Sequence, residues 1–425
     1  MSLRIWKVAS RQRATKTRPV ALGIVLVVLG ALVLLAVQFS PIAVASPAGI
    51  MVVTLTSPNA LFRGDFGDSV AVSGTTVVVG APRETVKGDP DAGHSYLFDA
   101  KTGALISTLT SPNAQKDGFF GASVAVSGTT AVVGASGEIV KGASAAGHAY
   151  EFNAETGALI RTLTSPNAQS GGTFGVSVAI SGSTAVVGAS GETAKGVSAA
   201  GHAYEFNAKT GTLIRTLSSP NAQEPGYFGD SVAVSSTTVV VGADYETPSG
   251  QTYAGHVYTF NAKTGALFST LTSPNAQQYG YSGTSVAISG STTVVGAPYE
   301  TANGLTDGGH AYEFNAKTGT LIRTLTSPIA PKYVDDGGFG YSVFISGTTV
   351  IVGGYGESAD GFSEAGHAFT FNAKTGALIS TLTSLNTLSK GFFGASVAVS
   401  GTTVVVGAPG ETASGLADAG HAYIF

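Results

Sequence analysis

The 425-residue chain contains no cysteine and no Asn-x-Ser/Thr acceptor, and only 11% of its residues are charged. The absence of cysteine excludes a disulfide framework, a thiolate metal site and a cysteine nucleophile. The charged fraction is well below the roughly 25% of an average soluble domain. Glycine is abundant instead, with 58 residues. This composition favours a turn-rich β protein that is held together by packing alone.

Carboxylates are absent from the first 50 residues, which carry six Lys and Arg residues. The remaining chain therefore has 16 basic residues against 26 acidic ones. Because binding to phosphates requires clustered positive charge, this balance argues against a nucleic-acid partner.

An apolar run of 18 residues, 20–37, follows the basic residues, and Ala43, Val44 and Ala45 have the spacing of a signal-peptidase site. The run is also close to the length that spans a bilayer. Residues 1–45 are therefore predicted to be either a cleaved signal peptide or a retained signal anchor. Both alternatives place the rest of the chain outside the cytoplasm. We expect an extracellular or cell-surface protein that contacts the membrane only through residues 20–37.

The dominant feature of the remaining chain is a unit that recurs seven times. Phe-Gly opens six of the units and Ser282-Gly283 opens the seventh, at spacings of 54 residues with one of 57. Fourteen residues later comes the glycine of a Gly-Ala-Pro-like tripeptide, and a histidine follows after another fourteen. A glutamate lies four residues after each tripeptide glycine. These recurring polar residues are Glu84, Glu138, Glu192, Glu246, Glu300, Glu357 and Glu411, and His94, His148, His202, His256, His310, His367 and His421.

Each unit has the pattern of four β-strands. In the second unit, residues 122–126, 129–134, 148–152 and 158–165 alternate or are rich in β-branched residues, and turn residues separate them. Seven such units predict an all-β fold, a seven-bladed β-propeller spanning residues 50–425. The last unit lacks a fourth strand, whereas residues 50–60 match the fourth-strand segment 104–114. The N-terminal strand is therefore predicted to complete the last blade and close the ring.

With Phe-Gly and Gly-Ala-Pro at fixed spacing, the chain resembles the FG-GAP repeat proteins, which include the integrin α-subunit propeller. The resemblance covers residues 50–425 and implies cell-surface adhesion or ligand binding where loops of several blades converge. The chain lacks the Asp-x-Asp-x-Asp-Gly calcium loop of several integrin blades. Asp89-Pro90-Asp91 is its nearest approach. No cofactor is expected, and calcium at that loop stays an open alternative.

Enzyme activity is not predicted. Seven equivalent histidines around a ring do not form one catalytic constellation, and we expect them to pin loop ends together with the glutamates. The Asn-Ala-Lys-Thr-Gly hairpins look like the turns of pyrroloquinoline-quinone propellers, but the docking tryptophan is missing, since Trp6 is the only Trp. A glycosidase needs two carboxylates about 5–9.5 Å apart, and the sequence singles out no such pair. The main carboxylates that break the repeat are Asp65, Asp68, Asp117, Asp230, Asp244, Asp335, Asp336 and Asp360.

Sequence variation is concentrated in two loops of each unit, one between the second and third strands and one leading into the next unit. Alternating strand directions place both on one side of the ring, the long-loop face, and both tight hairpins on the other, the hairpin face. Loops carry function and exposed aromatics anchor recognition, so we predict a non-enzymatic binding or adhesion surface for a protein or glycan at the cell surface. A structural envelope component and a hydrolase stay open as alternatives. The predicted binding residues are Tyr227, Tyr245, Tyr279 and Tyr299, among the variable Phe62, Tyr253, Tyr281, Tyr333, Tyr355 and Phe362 and an insertion near residues 332–336.

Overall fold

The computed structural model describes residues 43–45, 51–329 and 337–425. This part of the chain consists of β-strands and turns, with one short 3-10 helix at Pro248–Gly250. The predicted targeting segment lies outside the described residues, apart from positions 43–45. Within the described ranges, no helix is both long and apolar enough to cross a membrane.

The strands are arranged as seven antiparallel sheets. The N-terminal strands are β1 (Ala43–Ala45) and β2 (Met51–Leu55). Blade 1 contains β3 (Ser69–Ser73), β4 (Thr76–Ala81), β5 (His94–Asp99) and β6 (Leu105–Thr110). Blade 2 contains β7 (Phe120–Ser127), β8 (Thr130–Ala135), β9 (His148–Asn153) and β10 (Leu159–Thr164). Blade 3 contains β11 (Val178–Ser181), β12 (Thr184–Ala189), β13 (His202–Asn207) and β14 (Leu213–Ser218). Blades 4 and 5 contain β15 (Val232–Val234), β16 (Thr238–Ala243), β17 (His256–Asn261) and β18 (Leu267–Leu271); and β19 (Val286–Ser289), β20 (Thr292–Ala297), β21 (His310–Asn315) and β22 (Leu321–Leu325). Blades 6 and 7 contain β23 (Phe339–Ser346), β24 (Thr349–Gly354), β25 (His367–Asn372) and β26 (Leu378–Leu382); and β27 (Ser396–Ser400), β28 (Thr403–Ala408) and β29 (His421–Ile424).

The predicted seven-bladed propeller is confirmed. The first strand of each blade contacts the first strand of the next blade, and β27 contacts β3 to complete the circle. Second strands such as β4 are buried along their whole length because neighbouring blades cover both faces, which explains their unbroken β-branched runs. Fourth strands such as β6 lie at the outer edge and are largely exposed.

Closure of the ring by the N-terminal strand is also confirmed. Strand β2 pairs antiparallel with β29, with Val53 opposite Ile424 and Leu55 opposite Ala422. Strand β1 pairs with the other edge of β2. Blade 7 therefore combines three strands from the C-terminal end of the chain with strands from its N-terminal part.

The hydrophobic core is divided among the interfaces between blades, with one buried cluster at each of the seven. Between blades 1 and 2, Phe120 and Tyr150 pack with Val78 and Leu97 of the preceding blade. Burial of one such side chain contributes about 1.5–3 kcal/mol. Because each cluster needs two blades, no blade completes its core alone.

The Phe-Gly and Gly-Ala-Pro motifs meet at these interfaces. A Cβ atom added to Gly80 of blade 1 would lie 1.9 Å from the carbonyl oxygen of Gly121 in blade 2. The Ser69 hydroxyl donates a hydrogen bond to the same oxygen at 2.7 Å. Only glycine allows the two backbones to approach this closely. The same approach recurs at all seven interfaces, in the pairs Gly80 and Gly121, Gly134 and Gly175, Gly188 and Gly229, Gly242 and Gly283, Gly296 and Gly340, Gly353 and Gly394, and Gly407 and Gly67.

We expect Gly407→Ala to destabilise the protein, because its Cβ would lie 1.9 Å from the Gly67 carbonyl oxygen across the interface that closes the ring. Overpacking of this kind costs about 1–3 kcal/mol, and denaturant unfolding would measure the loss. Gly401→Asn is the matched control, since a Cβ at Gly401 meets nothing within 4 Å and Asn tolerates its left-handed backbone. Equal stability of Gly407→Ala and the wild type would contradict this explanation of the motif.

Candidate functional site

The long-loop face is formed as predicted, since the long loops and tight hairpins of each blade follow antiparallel strands in alternation. Two variable positions contact each other there, the residue before Phe-Gly and the residue three after the tripeptide glycine. In blade 4 the rings of Tyr227 and Tyr245 lie 4.7 Å apart. In blade 1 the pair is ionic, with Arg83 Nε 3.0 Å from Asp65 Oδ2. The chemistry of this pair therefore differs between blades, and in blade 6 both positions are glycine, Gly338 and Gly356.

The backbone of the preceding blade holds the first position of each pair. Tyr281 has a φ of 48°, in the left-handed region that non-glycine residues rarely adopt. Its amide donates a hydrogen bond to the carbonyl oxygen of Tyr253 at 3.0 Å, and the amide of Tyr227 bonds to Ala199 in the same way. These residues are therefore fixed by the scaffold before any ligand arrives.

Aromatic rings form a continuous path across blades 4 to 7, which we call the aromatic arc. Tyr245 contacts Tyr281 of the next blade, with 5.0 Å between ring centroids, and Tyr281 contacts Tyr299 at 5.7 Å. The hydroxyls of Tyr299 and Tyr355 are 3.3 Å apart. The arc comprises Tyr227, Tyr245, Tyr253, Tyr279, Tyr281, Tyr299, Tyr341, Tyr355 and Phe392.

The four tyrosines predicted from the sequence all lie in the aromatic arc, but not as four equivalent members. Tyr281, rather than Tyr279, occupies the position equivalent to Tyr227. Among the described aromatic rings of the arc, that of Tyr279 contacts Tyr253 and Tyr281, and Tyr279 is 49% exposed. Sequence reasoning missed Tyr281 as the link between blades, although its place directly before Ser282-Gly283 could have identified it.

A cavity of about 390 Å³ lies at the end of the aromatic arc, where blades 6, 7 and 1 meet. Tyr341, Tyr355 and Phe392 contribute aromatic rings to its wall. Blade 1 contributes charged groups to the lining. The complete lining is Arg63, Asp65, Asp68, Arg83, Tyr341, Tyr355, Lys390, Phe392, Ala395, Pro409, Gly410 and Asp418.

The surrounding protein raises the pKa of two carboxyl groups of blade 1, Asp65 and Asp68. Burial raises the pKa of Asp65 to about 7, although the Arg83 guanidinium opposes the shift. Desolvation also raises the pKa of Asp68 to about 6, again against Arg83. The Asp68 side chain still reaches water, so it lies in a recess that water enters. Both groups titrate close to neutral pH.

A second pair of repeat-breaking carboxylates lies in blade 4. Burial raises the pKa of Asp230, and burial together with the Asp230 charge raises that of Asp244 well above its usual range. The Thr284 hydroxyl lies 3.4 Å from Asp244 Oδ2, whereas Oδ1 has no hydrogen-bond partner among the described residues. Asp335 and Asp336 lie outside the described ranges, as does Tyr333.

The recurring histidine and glutamate contact each other in every blade. The Nδ1 atom of each histidine lies 2.7–3.1 Å from Oε2 of the glutamate of its own blade. In blade 2, the hydroxyls of Ser111 and Tyr150 also donate hydrogen bonds to Glu138. Burial and the Glu138 carboxylate raise the pKa of Tyr150, which keeps this hydroxyl a donor. That the network acts as a structural clamp for the loop stays a prediction.

The described residues contain no group of three or more His, Cys, Asp or Glu side chains that could hold a metal ion. In the first blade, the loop with Asp89 and Asp91 closes through backbone hydrogen bonds between Val86 and Asp89 at 2.9 and 3.1 Å. The equivalent loop of blade 2 has the same bonds between Val140 and Ala143. The turn therefore forms with or without an aspartate at this position.

The FG-GAP repeat family model matches residues 51–98, 105–152, 159–206, 212–260, 267–314 and 378–425. Each match runs from the fourth strand of one blade to the third strand of the next blade. The sequence repeat therefore spans the interface between two blades, where the recurring glycines of the motif approach each other. The segment between residues 314 and 378, with the longer spacing, is not matched. No curated protein matches the chain. Because the matched segments cover more than half of its length, the chain belongs to the FG-GAP repeat family.

Proposed function

We propose that the chain is exported and acts at the cell surface as a non-enzymatic binding or adhesion module, through its long-loop face. An FG-GAP propeller is compatible with a binding or adhesion module, and such repeats are typical of extracellular proteins. The aromatic arc is the observation that carries the proposal. The partner is a protein or glycan of the cell surface.

The aromatic arc has the features of a recognition surface. Tyrosine combines a large apolar ring with a hydroxyl that hydrogen-bonds, which makes it common in interfaces. Single exposed aromatics are ordinary, whereas a joined apolar patch marks an interaction site. The hairpin face instead repeats one turn, in which Asn207, Asn261 and Asn315 accept hydrogen bonds from the backbone two residues later. A surface of near-identical turns offers little to distinguish one partner from another.

Replacing Tyr227, Tyr245, Tyr279 and Tyr299 with Ser is expected to abolish capture of cell-surface material by the full chain. The test is a pull-down from cell-surface extract, in a mild detergent, with and without calcium. Thermal unfolding of the variant checks that the ring persists, because the four side chains lie in loops outside the clusters between blades.

The matched control is charge reversal on the hairpin face, with Lys209, Lys263 and Lys317 replaced by Glu. This variant is expected to capture the same material as the wild type. If the lysine variant loses capture and the tyrosine variant keeps it, the binding site lies on the hairpin face and the proposal is wrong.

A further inference from the structure

Two small residues, Ala395 and Gly410, line the cavity between blades 6, 7 and 1. Ala395 follows Phe-Gly in blade 7, where blade 6 has Tyr341. Gly410 occupies the position that Tyr245 and Tyr299 fill in blades 4 and 5. A Cβ on Gly410 would meet the Phe392 ring at 2.7 Å. The absence of a side chain at Gly410 therefore gives the Phe392 ring room to pack close to the backbone.

The two sides of the cavity differ in chemistry. On one side, the rings of Tyr341 and Tyr355 lie 4.4 Å apart, and Tyr355 lies 5.9 Å from Phe392. The side formed by blade 1 has the carboxyl groups of Asp65 and Asp68 and the guanidinium groups of Arg63 and Arg83. The Asp68 side chain has no ion pair or hydrogen bond with any described residue, so its oxygens can accept hydrogen bonds from a ligand.

The charges around the cavity are balanced when its three carboxyl groups are ionised, because three basic residues also line it. Arg83 is already paired with Asp65 at 3.0 Å, and Arg63 lies 3.9 Å from Asp418. Asp68 and Lys390 leave one further charge of each sign in the lining. A ligand that is itself charged would leave a net charge in a recess that is partly desolvated. An uncharged ligand with many hydroxyl groups avoids this cost.

We infer that this cavity binds a neutral sugar unit of a glycan, stacked on the ring of Tyr355 or Phe392 and hydrogen-bonded to Asp68 and Arg83. A pyranose offers an apolar C–H face to an aromatic ring and hydroxyls at its edge, which matches the two sides of the cavity. The inference rests on the proposed function and narrows its partner to a glycan.

The size of the cavity limits the ligand to a small unit. Its volume of about 390 Å³ lies near the lower end of the roughly 300–1,000 Å³ range of small-molecule sites. One or two sugar rings fit this space. The aromatic arc leads away from the cavity along blades 6, 5 and 4, so a longer glycan chain would continue along it.

The test is saturation-transfer NMR and calorimetric titration of the full chain with neutral sugars. The probes are glucose, galactose, mannose and N-acetylglucosamine with their β-linked disaccharides, and glucuronic acid is the charged comparison. We expect a neutral probe to bind. We expect Asp68→Asn and the cavity-filling Ala395→Phe each to weaken the affinity for this probe at least tenfold. Ala122→Phe is the matched control, because Ala122 follows Phe-Gly in blade 2, away from the cavity, and should leave the affinity unchanged.

Three outcomes would overturn the inference: no probe binds, only glucuronic acid binds, or binding survives both cavity variants. If cell-surface capture still depends on the tyrosines in any of these cases, the proposed function stands without a sugar site. If the probe binds and reducing ends are released, the sugar site is supported and the non-enzymatic part of the proposed function fails.

Discussion

Deletion of residues 50–57 is expected to open the ring and convert the protein into an associating or unfolded chain. The deletion removes Val52, Val53 and Leu55, each at most 8% exposed and contributing about 1.5–3 kcal/mol by burial. It also removes Ser57, whose hydroxyl donates a hydrogen bond to Glu84 and lies 3.0 Å from the Tyr96 hydroxyl oxygen. The combined loss approaches the roughly 5–15 kcal/mol of a whole domain. Light scattering after size exclusion and thermal melting would measure the result.

The exposed edge of β29 explains why association is expected. Without β2, this strand presents unpaired backbone groups to other chains. A chain with residues 50–60 moved to follow Phe425, through an Asn-Ala-Lys-Thr-Gly hairpin, is the matched control and should be monomeric and stable. A deletion variant that remains monomeric with an unchanged melting temperature contradicts the closed ring.

Arg161→Ser is expected to lower the free energy of unfolding by about 3–5 kcal/mol, as in other proteins where a buried ion pair loses one partner. Glu151 is completely buried, and Arg161 Nε lies 3.2 Å from its Oε2. Arg161 also donates a hydrogen bond at 2.9 Å to the Lys209 carbonyl of the next blade. The variant therefore leaves the buried Glu151 carboxylate without its ion-pair partner and removes a hydrogen bond between two blades. Denaturant unfolding at pH 8 is the measurement.

The chain itself supplies the matched control for this prediction. Blade 1 has Leu97 opposite Ser107 at the same paired positions. The double variant Glu151→Leu with Arg161→Ser copies that pair and should be near wild-type stability, since apolar replacements of buried ion pairs are often neutral. If the double variant is as unstable as the single one, the carboxylate is not the cause of the loss.

The loss of unfolding free energy caused by Arg161→Ser should also depend on pH. Burial raises the pKa of Glu151 from 4.5 to about 7, against the effect of Arg161. The folded chain therefore holds this proton more tightly than the unfolded chain, so the free energy of unfolding falls as pH rises from 4.5 to 7. Without Arg161 the carboxyl keeps its proton to still higher pH. The penalty of the variant should be smaller at pH 5 than at pH 8.

Most of the fold could be predicted because the repeat encodes it seven times. The strand predicted at 148–152 is β9, His148–Asn153, and the match between residues 50–60 and 104–114 identified the closing strand. Periodic apolar residues and turn glycines determine these features locally. The buried pair of Glu151 and Arg161 was not predicted, because it forms only when adjacent strands bring together residues ten positions apart.

The candidate site was predicted only in part. Loop variation indicated the long-loop face, and aromatic excess indicated blades 3, 4 and 5, which begin at Phe174, Phe228 and Ser282. The aromatic arc includes blades 4 and 5 but no residue of blade 3. Contact between rings on neighbouring blades depends on the backbone conformation at positions such as Tyr281. No local sequence pattern predicts that conformation. The cavity was missed because residues of blades 6 and 7 line it together with residues of blade 1, which lies at the other end of the sequence.

Amide hydrogen exchange of the full chain, alone and bound to the material that it captures from cell-surface extract, tests most directly whether the long-loop face binds. The proposed function predicts slower exchange on binding in peptides covering residues 226–228, 245–254 and 279–282. Slower exchange confined to the hairpins at 207–211, 261–265 and 315–319 would contradict it.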